Sequence, residues 1–151
     1  MSAAGRVDPA ERRASRERAL GLLYEAETRE LAPRAVLEAQ ATRPDRYATE
    51  LVTGVGDHAA ELDRLIAEHA TGWTLGRMPA VDRALARLAT FELVHRPDVP
   101  TGVVLSEAVE LAGAYSTDDS GRYLNGLLAG IAGHVREAAP GVAAAESPGG
   151  E

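Results

Sequence analysis

The 151-residue chain has no cysteine, and its aromatics are limited to one Trp, one Phe and four Tyr. Disulfides, thiolate nucleophiles and cysteine–zinc sites are therefore excluded. With so few rings, a core must be built from Leu, Val, Ile and Ala, which suits helix-on-helix packing. No stretch approaches the roughly 18 uninterrupted apolar residues of a membrane span, and the N-terminus lacks an apolar signal core. These absences lead us to expect a soluble, cytoplasmic protein. Positive charge is also short. The net charge is −7, and every one of the 16 basic residues is arginine. Residues 5–18 run against that balance: five arginines face three acids there, an excess of two, so the rest of the chain carries −9. An acidic body with a locally basic arm is expected to bind RNA weakly on its own, through that arm.

What is present reads as helix throughout. A chain of this length buries roughly 68–70% of its unfolded surface, enough to fold as one domain or as two small bundles sharing a core. Residues 1–7 read as a flexible leader. Asp8-Pro9-Ala10-Glu11 then combines an N-cap, a proline at the first helical position and an acid three residues after the cap. That helix is expected to reach about Thr28 and to bury Ala19, Leu22, Leu23 and Ala26. A short second helix opens at Pro33. Tyr47, Leu51, Val55, Leu62 and Ile66 keep one helical phase, which predicts a single long helix weakened at Gly54 and Gly56. Trp73 reads as a packing plug after that helix. A further helix follows Pro79, with Val81, Ala84, Leu85 and Leu88 on its stripe. Glu92 shares the stripe, where a carboxylate needs a partner; Arg96 is one candidate.

The last two helices form a hairpin. Val104, Ala108, Leu111 and Tyr115 define one stripe, and Leu124, Leu127, Leu128, Ile131 and Val135 the other, at about 100° per residue. Between them, residues 116–120 supply side-chain oxygens for the next helix start. The segment D-D-S-G-R-Y-L-N-G breaks local rules, since Asn125 and Gly126 are poor mid-helix choices. Such departures are frequent at functional sites. A glycine that merely admits a neighbouring helix explains Gly126 equally well. Residues 138–151 are low in complexity and read as a disordered tail.

Two candidate surfaces emerge. Arg13 and Tyr24 are eleven residues apart and return to within about 20° on a helix, with Arg16 near the same line. Guanidinium groups followed by a phenol can hold phosphates and stack a base; a solvated flank with an Arg13–Glu17 pair fits the same spacing. Arg122 and Tyr123 form the second surface, beside Asp119. Catalytic chemistry finds no comparable pattern. His58, His69, His95 and His134 lack metal-ligand spacing. Glu92-x-x-His95 has no second copy to complete a di-iron set with Glu107 and Glu110. Asp118-Asp119 is explained by capping and dipole compensation. No cofactor site and no enzyme are expected.

This hairpin, together with V-D-R-A-L-A-R-L-A-T-F-E-L before it and R-R-A-S-R-E-R-A-L near the N-terminus, resembles the NusB family of bacterial transcription antitermination factors, from about Glu11 to Val135. The resemblance implies an all-α fold of about seven helices in two packed subdomains, about 8–70 and 79–137, within a domain spanning 8–137. It implies binding of boxA-type leader RNA of ribosomal RNA transcripts together with the ribosomal protein NusE, in an RNA polymerase complex with NusA and NusG. By the same resemblance Arg12, Arg13 and Arg16 meet phosphates, Tyr24 stacks a base, and Arg122, Tyr123 and Asp119 form the opposite wall. A third arginine found in arginine-dense members is replaced here by Ala14. Asp82 matches an acidic position facing NusE, although a first-turn acid favouring the helix dipole reads equally well. Some relatives form homodimers that cover the RNA surface. A helical protein-interaction module without RNA binding and an RNA-targeting module related to RNA methyltransferases are the alternatives.

Overall fold

The computed structural model describes residues 7–136. The expected leader, apart from Val7, and the expected tail lie outside the described residues. Seven α-helices follow in order, with no strand among the described residues: α1 Pro9–Thr28, α2 Pro33–Glu38, α3 Arg46–Asp57, α4 Ala59–His69, α5 Ala80–His95, α6 Thr101–Tyr115 and α7 Asp118–Val135. A single 3-10 turn, Leu75–Arg77, connects α4 to α5.

Three helix starts, those of α1, α3 and α7, carry a side-chain cap. Asp8 accepts from the Ala10 amide at 3.0 Å and Pro9 occupies the first turn of α1, which satisfies one orphan donor and presets one backbone angle. Asp45 accepts from the amides of Tyr47 and Ala48 at α3, and Thr117 from the amide of Ser120 at α7. The far end of α5 is closed from outside. Arg136, just past α7, donates to the carbonyls of Glu92, Leu93, Arg96 and Val99 at 2.7–3.1 Å. One guanidinium thus gathers four carbonyls at the end of α5, where the helix leaves carbonyl capacity unused.

The single long helix expected over residues 47–69 is two helices. The chain breaks at His58, whose φ/ψ of −112°/21° is not helical. The apolar phase is kept across the break, which is why the sequence pattern hides it, but the two halves have different partners. The first half, α3, packs on α1, α2 and α5, whereas α4 packs on α5 and α7. Gly54 and Gly56 allow the close approach in α3. A side chain at Gly54 would strike the Phe91 ring, and a Cβ at Gly56 would sit 3.3 Å from Pro33.

The central element is α5. It touches α1, α3, α4, α6 and α7 and buries Ala84, Leu85, Leu88, Phe91 and Leu93. Buried apolar residues of all seven helices join in one cluster. Trp73 is half-buried and packs edge-on against Tyr123, with ring centroids 5.0 Å apart. It fills the seam between the α4–α5 connection and α7, as expected of a plug.

Candidate nucleic-acid interface

The outward flank of α1 is less uniform than its spacing suggests. Arg12 lies over the Tyr47 ring, with its guanidinium carbon 3.7 Å from the centroid. Arg13 donates through Nε and Nη2 to the Glu107 carboxylate of α6, at 2.9 and 2.6 Å. This fork holds the Glu107 carboxyl below the usual range and the Arg13 guanidinium above its own. Arg13 is still 45% exposed. Its expected partner within the helix, Glu17, instead accepts from the Tyr115 hydroxyl at 3.1 Å. Tyr24 is 43% exposed, as a stacking platform requires.

Arg16 departs from the expectation of a phosphate contact. It is 2% exposed and forks onto Glu92 of α5, with Nε and Nη2 contacts of 2.8–3.1 Å. The Tyr47 hydroxyl donates to the same carboxylate. Burial works against the Arg16 charge, but the Glu92 hydrogen bonds and charge outweigh it and the guanidinium is held more firmly protonated. Burial and then the Glu92 charge push the Tyr47 phenol upward. Arg16 is therefore the partner that the buried carboxylate needed. Arg96, the candidate from the sequence, pairs with Glu50 and Asp98 instead. The signal was present: Arg16 precedes Ala19, Leu20 and Leu23 by three, four and seven residues, which places it on the buried stripe.

At the start of α7, Arg122 is the most available cation of the set, 74% exposed and, among the described residues, paired only with the equally exposed Asp119. Tyr123 is half-buried, and its hydroxyl donates to the Trp73 carbonyl at 3.2 Å. Beside them a shallow groove runs between α6 and α7, lined by Glu110, Gly113, Thr117, Asn125 and Gly126 among others. A Cβ at Gly113 or Gly126 would meet nothing within 4 Å. Among the described residues, no helix uses the space at Gly126.

The end of α6 adjoins the first surface. Tyr115 was expected on the buried stripe with Val104, Ala108 and Leu111; those three are buried, but Tyr115 is 54% exposed. It is the last residue of α6, so its ring lies beyond the packed part of the helix and leans over α1. With Tyr24, Leu20, Gly21 and Val81 it lines a second shallow groove. Tyr115 and Glu107 are the residues that the sequence reading did not assign to this surface.

Asp82 does not face a partner. It is fully buried, and its Oδ1 accepts from the Ser116 hydroxyl at 2.7 Å, which in turn lies 3.0 Å from the Ser120 hydroxyl. Its Oδ2 has no protein partner. The side chain anchors the α6–α7 turn to the first turn of α5, where a negative charge also suits the helix dipole.

The chain is similar to known proteins over most of its length. It is 50% identical over 128 residues to the transcription antitermination protein NusB of Salinispora arenicola, covering 80% of this chain and 94% of that one. Against the same protein of Kineococcus radiotolerans it is 48% identical over 127 residues, covering 82% and 93%. Among solved structures, it resembles Thermotoga maritima NusB with a TM-score of 0.71 and 33% identity, covering 80% of this chain and 89% of that one. A crystal structure of the antitermination factors NusB and NusE in complex with double-stranded RNA aligns with a TM-score of 0.70 and 27% identity, covering 82% and 96%. The model of the NusB family matches residues 13–133, and the chain belongs to that family.

Proposed function

We propose that this NusB-family antitermination factor, which is not an enzyme, binds boxA-type leader RNA of ribosomal RNA transcripts together with ribosomal protein NusE. It acts in the cytoplasm, in the RNA polymerase complex that also contains NusA and NusG. The observation that carries this reading is the likeness to NusB in a complex with NusE and RNA, over 82% of the chain.

The chain's own side chains divide the work as follows. Arg12, Arg13 and Arg122 contact phosphates, Tyr24 stacks a base, and Tyr123 braces the wall that carries Arg122. Asp119 orients the Arg122 guanidinium. Arg16 and Asp82 are left out of contact and hold the surface in shape from below. A net charge of −7 makes unaided RNA binding weak, so NusE supplies much of the affinity. A homodimer that covers the RNA surface would compete with this assembly.

Fluorescence anisotropy with a boxA RNA and its scrambled sequence, with and without NusE, tests the reading. Preference for boxA only when NusE is present supports it. Equal binding of both RNAs, or none, assigns the chain to protein interaction alone. Light scattering with and without RNA checks the homodimer.

A further inference from the structure

The break between α3 and α4 places three side chains together that are distant in sequence. His58 stands at the break, Glu61 lies in the first turn of α4, and His95 ends α5. One ligand atom from each, an imidazole nitrogen from both histidines and a carboxylate oxygen, all lie within 4.8 Å of one another. The nearest pairs are His95 Nε2 to Glu61 Oε1 at 2.9 Å and His58 Nδ1 to the same oxygen at 3.6 Å. The imidazole rings stack with centroids 4.0 Å apart and planes 30° from parallel, and Phe91 stacks under His95 at 5.2 Å. The side chains remain 29–41% exposed, so an ion can reach them.

Glu61 also differs from its charged neighbours. Asp57 is occupied by Arg34 and Asp63 by Arg87, whereas among the described residues the ion-pair partners of Glu61 are the two imidazoles alone. We propose that His58, Glu61 and His95 form a binding site for a borderline divalent transition-metal ion of the zinc class. Two nitrogens and one oxygen are a donor set suited to such ions, with water in the open position. Bond lengths of about 2.0–2.2 Å require the donors to close to about 3.3 Å of one another. His95 and Glu61 already meet this, while His58 Nδ1 stands 3.6 Å from Glu61 Oε1 and its ring, stacked on His95, has to turn out of the stack to share the ion. The ion would tie the start of α4 to the end of α5 and lock the bend at His58.

The chain has four histidines and no cysteine, so the possible imidazole ligands are few and thiolate ligands are absent. The other histidine pair, His69 with His134, has ring centroids 5.4 Å apart and serves as the internal control. Zinc ion alone is titrated calorimetrically into the untagged full chain, and melting is followed with and without it. One equivalent should bind and raise the melting temperature. Glu61→Gln and His95→Gln, which nearly keep side-chain size, should each weaken binding about tenfold or more and remove the thermal shift, whereas His69→Ala should change neither. Helical circular dichroism of the variants verifies that they fold. Absence of saturable binding by the unaltered chain overturns the site, as does binding that survives both Gln variants or is lost in His69→Ala.

Discussion

Replacing Arg16 by alanine separates two roles for the first helix. If Arg16 were a solvated phosphate contact, its loss would weaken RNA binding and leave stability almost unchanged, because exposed charges contribute about 0–1 kcal/mol. The structure instead buries Arg16 and Glu92, with side chains 3% and 1% exposed. Removing one member of such a pair leaves a charge without compensation, at a cost of about 3–5 kcal/mol. The Tyr47 hydroxyl still donates to Glu92 in the variant, which places the expected loss near the lower end, about 3 kcal/mol. The double variant Arg16→Met with Glu92→Leu removes both charges. Apolar replacement of a buried pair is neutral to stabilising by about 1–4 kcal/mol, while the orphaned Tyr47 hydroxyl costs about 1–3 kcal/mol. The double variant should therefore lie within about 3 kcal/mol of the parent and no lower than the single variant. Urea unfolding followed by circular dichroism measures all three, with anisotropy on boxA RNA measured below the unfolding range. A single variant that keeps parental stability but loses RNA affinity would refute the buried-pair argument.

Three further outcomes are expected. With Arg12, Arg13 and Arg122 on phosphates, log K for single-stranded RNA should fall with log salt at a slope of about −2, and Arg122→Ala should reduce that slope by about 0.7; an unchanged slope removes Arg122 from the contact. Asp82→Ala should destabilise the fold by about 1.5–3 kcal/mol, because it removes the charged acceptor of the half-buried Ser116 hydroxyl, and calorimetry with NusE should show a loss no larger than the unfolding accounts for; a stable variant that no longer binds NusE would return Asp82 to the interface. Glu27, held below its ordinary value of 4.5 first by the Arg83 hydrogen bond, contributes stability that is complete above that value. This contribution is lost as pH falls toward the depressed folded-state value. Urea midpoints of Glu27→Gln should accordingly be lower than the parent's at pH 7 and converge on it in acid; parallel curves would exclude the linkage.

How much of this was legible in the sequence differs from residue to residue. The cap at Asp8-Pro9, the proline-led starts and the apolar stripes are local, and they appear where the pattern placed them. The break at His58 was not legible, because the hydrophobic phase runs through it unchanged. Tyr115 matched a stripe by spacing yet lies past the point where that stripe is covered. Arg16 and Glu92 each announced a conflict, a charge in phase with leucines, but the pairing spans 76 residues and no local rule connects them. The surface arginines were placed by family resemblance, and the one that matched by number but not by environment is buried.

The sequence by itself determined the all-helical class, most helix boundaries and the absence of thiol chemistry, because caps, periodicity and composition act over a turn or two of chain, and its resemblance over most of its length carried the NusB family. Tertiary structure alone decided which charges meet water. Arg13 and Arg16 are three residues apart on one helix, and only the arrival of α5 and α6 makes one exposed and the other buried. The same packing seals Asp82 under the α6–α7 turn and draws His58 and His95 together. Burial is a property of what packs against a side chain, and those neighbours lie far away along the chain.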